Sequence, residues 1–72
     1  MNEKSCLINV CENIKMIRTK RGLNQTEVAK QLGITRQAYS QWEKYAEKMT
    51  IGKLYKIAQI LNCKITDFFV QI

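Results

Sequence analysis

The amino-acid sequence predicts an all-α domain of five short helices, and three observations carry that reading. Apolar residues recur in steps of three and four along most of the chain, which is the spacing of one helical face. Residues that cap helix N-termini (Asn24, Thr35, Thr50) stand just ahead of the runs. The sequence contains no Pro, which fits a compact helical domain.

Helix 1 is expected over Leu7 to Lys20, with Leu7, Val10, Cys11, Ile14 and Ile17 on one side. Lys15, Arg18 and Lys20 complement its negative end, and Gly22 stops it. The residues before about Ser5 have no packing signal and are expected to fray. Asn24 and Glu27, three apart, form a capping box that starts helix 2 at Gln25. Val28, Ala29 and Leu32 make its inner face, and Gly33 ends it in the left-handed conformation with Ile34 filling the angle that follows. Thr35 caps helix 3, whose buried side is Ala38, Tyr39, Trp42 and Ala46; Glu43 falls on the flank of that side. Helix 3 is placed to end near Tyr45. Thr50 caps helix 4, with Ile51, Leu54, Ile57, Ala58 and Leu61 as its stripe and Asn62 as its left-handed stop. Ile65 to Phe69 is a short fifth helix.

Length and composition bound what such a chain can do. Its 72 residues hold one domain, spanning residues 1–72, with little room for a catalytic cleft. The chain has no His and a single Asp, Asp67, so no acid–base or nucleophilic constellation presents itself and no enzyme is expected. No cofactor or metal is expected either, because Cys6, Cys11 and Cys63 lack a fourth ligand and read as reduced thiols packed as small hydrophobes. No apolar run approaches a membrane span and the N-terminus does not read as a secretory signal, so a cytoplasmic location is expected. Twelve Lys and Arg against six Asp and Glu give a net charge of +6, which favours phosphate polymers as partners.

The patterns Gln25 to Leu32 and Arg36 to Tyr45, joined by Gly33-Ile34-Thr35, make a helix-turn-helix arrangement that fits a DNA major groove. The second helix leaves Arg36, Gln37, Ser40, Gln41 and Lys44 on one side with no acid among them. Arg pairs bidentately with guanine and Gln with adenine, while Asn24, Lys44 and Lys48 stand near helix ends where phosphates are held. The plain alternative for this face is the solvated side of an amphipathic helix. Tyr39 and Trp42 read as core residues, with stacking on bases as the competing role.

The stretch IRTKRGLNQTEVAKQLGITRQAYSQWE, followed by LYKIAQILN and ITDFF, closely resembles the phage repressor and Cro family of helix-turn-helix DNA-binding domains, also called the Xre family. The likeness runs from about Ile14 to Phe69 and includes Leu23, Gln25, Ala29, Gly33, Ile34, the Trp42-Glu43 pair and a helix from Leu54 to Leu61. It implies a five-helix, lambda-repressor-like domain that binds double-stranded operator DNA as a twofold homodimer. Gln25 matches a residue that contacts a phosphate and braces the recognition helix. Arg36, Gln37 and Gln41 match positions that reach base edges, and Ala38 or Ser40 a position that touches a thymine methyl or a phosphate. Arg18 and Glu43 match an ion pair between helices 1 and 3, with an exposed contact of little value as the lesser alternative. The family's usual Gly near Tyr45 and Pro near Met49 are missing, and Lys64 replaces the usual small polar cap before the last helix. Phe68, Phe69, Val70 and Ile72 form an apolar end that serves either a dimer interface or intramolecular packing.

The expected function is therefore that of a sequence-specific transcriptional regulator, an operator-binding repressor. An antitoxin with a toxin partner and a restriction-modification controller are the alternatives. A pure RNA binder is disfavoured because no RNA-recognition aromatic signature is present.

Overall fold

A computed structural model of the chain describes residues 9–70. It contains four α-helices, α1 (Val10–Lys20), α2 (Gln25–Leu32), α3 (Arg36–Lys44) and α4 (Ile51–Leu61), and two 3₁₀ segments, Ala46–Lys48 and Ile65–Phe69. The described residues include no strand.

Local chemistry sets most boundaries. Asn24 accepts from the Glu27 amide at 2.8 Å while Glu27 accepts from the Asn24 amide at 2.8 Å, closing the capping box. Thr35 and Thr50 accept from Ala38 and Lys53 amides in the same way. Gly33 (φ 75°) ends α2, and Asn62 (φ 55°) ends α4. At both ends a 6→1 bond closes the turn, from Ile34 to Ala29 and from Cys63 to Ala58, each 3.0 Å. Among the described residues α1 starts at Val10, because Asn9 is extended and accepts from the Glu12 amide at 3.1 Å. The expected helical Leu7, the fraying segment before Ser5 and Cys6 lie outside the described residues.

The core gathers Val10, Ile14, Val28, Ala29, Tyr39, Ala46, Leu54, Ile57, Ala58, Leu61 and Phe68. Three expectations need correction. Ile51, counted on the α4 stripe, is 66% exposed, since it sits in the first turn beyond the reach of the core. The fifth helix is a 3₁₀ segment started by Asp67, which accepts from the Lys64 amide at 3.0 Å. Phe68, a candidate for a dimer interface, is fully buried, because this segment packs onto α1 and α4 and turns that ring inward. Phe69 and Val70 remain exposed; Ile72 lies outside the described residues.

Two side chains fasten the C-terminal part. Asn13, buried on α1, donates to the carbonyls of Phe68 at 2.8 Å and Val70 at 2.9 Å. Arg21 donates to the carbonyls of Leu61 at 2.7 Å and Asn62 at 3.1 Å, satisfying the end of α4. Asn13→Ala removes both donors to the tail, and about 1 to 3 kcal/mol of stability should go with them. Urea denaturation of the variant beside the parent measures this.

Candidate nucleic-acid interface

Helix α3 is nine residues long and too short to persist alone, so its neighbours decide its orientation. Only Tyr39 and Glu43 on it are fully buried; Ala38 and Trp42 are half-buried. The apolar grip is slight, and polar contacts supply the rest.

Glu43 is 1% exposed, so its place is in the interior and not on the flank. Its Oε2 accepts from Arg18 Nε at 2.7 Å and its Oε1 from Arg18 Nη2 at 3.4 Å. Oε1 also accepts from Gln25 Nε2 at 3.0 Å. Arg18 Nη1 donates in turn to the Leu23 carbonyl at 3.0 Å, in the link between α1 and α2. Gln25 Oε1 accepts from Arg36 Nη1 at 3.4 Å. One carboxylate therefore joins α1, α2 and α3. The Arg18–Glu43 contact is a structural tie, and the reading of it as an exposed pair is set aside.

Two further groups stand by Glu43. The Tyr39 hydroxyl is buried beside it but outside hydrogen-bond geometry, and burial, reinforced by Glu43, raises its pKa. The Cys11 thiol donates to the Glu43 main-chain carbonyl. Burial pushes that thiol up, with the Lys15 ammonium pulling against it. Cys63 is likewise a free thiol raised by burial.

On the outer side of α3, Arg36, Gln37, Gln41 and Lys44 are exposed and Ser40 is half-buried. These positions recur at helical spacing and share one face. Lys44 and Lys48 flank the buried Ala46, and Asn24 is exposed at the start of α2. In place of the missing Gly and Pro, the chain leaves α3 at Tyr45, makes the single 3₁₀ turn Ala46–Lys48 and extends at Met49. Trp42 packs against the core with the Lys53 ammonium 4.9 Å above its ring, so its face is covered by a cation within its own domain. Among the described residues there is no cluster of His, Cys, Asp and Glu that could hold a metal, and no helix long and apolar enough to cross a membrane.

Sequence reasoning missed the inward position of Glu43 and the fastening roles of Asn13 and Arg21. It also passed over Cys11 and Lys15 as neighbours of α3, although Cys11, Lys15 and Arg18 fall at helical spacing on the side of α1 that meets Glu43.

A short helix braced on a capped turn, with its only acid turned inward and its polar side free, is the layout of a helix-turn-helix nucleic-acid-binding domain. The chain belongs to the helix-turn-helix family of the Xre and Cro type, whose pattern it matches over residues 14–68. It is 36% identical over 62 residues to an uncharacterized HTH-type transcriptional regulator of Sinorhizobium medicae, covering 86% of this chain and 45% of that one. It is 35% identical over 57 residues to another such regulator, from Archaeoglobus fulgidus, covering 79% and 81%. A third relative, the SPbeta prophage-derived regulator YonR of Bacillus subtilis, is 37% identical over 60 residues, covering 83% and 55%. The chain thus spans about half the length of some of the curated relatives it matches. In fold it is similar to the crystal structure of the hypothetical transcription factor NHTF from Neisseria, with a TM-score of 0.76 at 22% identity over 99% of this chain and 83% of that one.

The tie has a measurable signature. Glu43→Ala leaves Arg18 buried without its partner and should cost about 3 kcal/mol, the lower end of the range for broken buried pairs, because Arg18 keeps some solvent contact. The double variant Arg18→Met/Glu43→Leu should lose less than Glu43→Ala alone. Denaturation midpoints of the three proteins decide the order.

Proposed function

We propose that this chain is a sequence-specific DNA-binding transcriptional regulator that acts in the cytoplasm by occupying an operator as a repressor, with α3 in the major groove. The observation that carries the reading is the charge arrangement of α3. Its only acid is withdrawn and neutralised by Arg18, which leaves Arg36, Gln37, Ser40, Gln41 and Lys44 to meet a polyanion. The relatives' names as transcriptional regulators support it.

In this reading Gln37, Gln41 and Arg36 read base edges, with Ser40 beside them, and each bidentate pair discriminates by about 1 to 3 kcal/mol. Asn24, Gln25, Lys44 and Lys48 position the domain on phosphates without reading sequence. Gln25 divides its amide between the Glu43 brace and the DNA. Two copies related by a twofold axis place two α3 helices about one helical turn apart. The exposed Phe69 and Val70 form the contact between copies.

A site selected from random duplex DNA provides the test. Gln37→Ala should bind that site about 5- to 100-fold more weakly while binding random duplex as the parent does; equal losses on both would remove Gln37 from base reading. Parent affinity should fall steeply and linearly in log–log form with salt, whereas a flat response excludes phosphate contacts. Phe69→Lys should shift the protein toward monomer in sedimentation, and an unchanged dimer moves the interface elsewhere.

A further inference from the structure

Where α1, α2 and α3 meet there is a pocket of about 260 Å³, lined by Cys11, Lys15, Gln25, Ser40, Glu43 and Lys44. It is smaller than the roughly 300 to 1,000 Å³ that drug-sized ligands occupy. Its cations come from two elements, Lys15 on α1 and Lys44 on α3, and both are exposed. Its neutral donors are the Ser40 hydroxyl and the Gln25 amide. Gln25 Nε2 gives one hydrogen to Glu43 at 3.0 Å, and its second hydrogen has no partner among the described residues. Gln25 is also the first residue of α2, so the positive end of that helix dipole lies at the pocket edge. The one anion in the lining, Glu43, is paired with Arg18 at 2.7 Å, and the Cys11 thiol is directed to the Glu43 carbonyl. The net charge of the lining is therefore that of its two lysines. Ser40 and Lys44 belong to the same α3 face as Gln37 and Gln41.

We infer that this pocket docks one backbone phosphate of the duplex, with Lys15 as the cation that α1 contributes. This rests on the DNA-binding reading above and adds to it a third helix and a defined seat. A small site with two ammonium groups, a hydroxyl and an amide donor suits a phosphodiester, which offers two charged oxygens and carries no base information. Held there, the phosphate bridges α1 and α3 and fixes how deeply α3 enters the groove.

The test uses Lys15→Gln, Lys15→Arg and, as an equal change of charge outside the pocket lining, Lys64→Gln. Affinities are measured for the selected site and for random duplex across a salt series. Lys15→Gln should weaken both duplexes alike, by about 5- to 10-fold near 0.1 M salt, and lower the log–log salt slope by about 0.9, the value for one phosphate contact. Lys15→Arg should retain most of the affinity. Single neutral methylphosphonates placed along the selected site should include one position that weakens Lys15→Gln distinctly less than it weakens the parent. Unchanged Lys15→Gln binding while the parent binds normally would overturn the pocket and leave the DNA-binding reading intact. So would a loss no larger than that of Lys64→Gln, a loss confined to the selected site, or additivity at every methylphosphonate position. A parent protein without duplex affinity would overturn both. Matching melting temperatures of parent and variants ensure that the losses are not losses of fold.

Discussion

The buried carboxylate of Glu43 is the constraint on which the arrangement of the first three helices depends. An ionised acid removed from water costs several kcal/mol unless its oxygens are occupied. Here they are, by two guanidinium nitrogens of Arg18 and the amide of Gln25. Satisfying the acid requires α1, α2 and α3 to stand in one relative position. A hydrophobic replacement could equal the pair in stability, but apolar contact tolerates rotation and sliding that hydrogen bonds to two fixed oxygens do not. The gain from the ion pair is thus geometric, and it falls on the helix with the weakest apolar grip.

The same burial solves an electrostatic problem. Two unit charges of like sign 4 Å apart repel by about 1 kcal/mol even in bulk water, and by more where water is excluded. An acid left on the outer face of α3 would oppose any polyanion brought against it. Rotating Glu43 to the inner side, with Arg18 beside it, removes that repulsion and leaves the outer side with Arg36 and Lys44 as its charged groups. Arg36, through Gln25, is also the outermost link of the chain that begins at Arg18, so the outer face is oriented by the interior one.

Much of this was legible in the sequence because caps and left-handed turns are local events. Asn24 with Glu27, Thr35, Thr50, Gly33 and Asn62 each act within a few residues, and each element they bound is where they place it. The identities on the outer face of α3 followed from helical spacing alone. What spacing could not say is how far the core extends around a helix. Glu43 projects to the edge of the apolar side, and only the arrival of Arg18 from α1 decides that the edge is interior. The closing segment failed for a different reason: five residues carry no periodicity, so nothing local separates the buried Phe68 from the exposed Phe69. Asn13 and Arg21 act on carbonyls 55 and 40 residues away, a distance no local pattern encodes. The Asn9 boundary was a missed local signal, since Asn9 and Glu12 repeat the spacing of Asn24 and Glu27.

The segment after α3 keeps a defined path without the Gly and Pro that the resemblance leads one to expect there. A Gly–Pro loop would fix its path by backbone conformation, using a residue free to take positive φ and one with φ preset. In this chain Tyr45 has φ −112° and Met49 is extended, both open to ordinary residues. The path is held instead by Ala46, which is 1% exposed and anchors the 3₁₀ turn to the core. A small side chain is needed there because the turn lies close against α1. The anchor sits between two lysines, so Lys44 and Lys48 are carried outward on either side of a fixed point. A loop fixed by backbone conformation can present main-chain amides to a phosphate; in this one the Lys48 and Met49 amides are used within the turn, on the carbonyls of Tyr45 and Ala46. What this edge offers beside the turn is the two exposed ammonium groups of Lys44 and Lys48, on flexible stems. That arrangement favours affinity over fixed geometry, and it leaves the setting of α3 to the braced contacts on its other side.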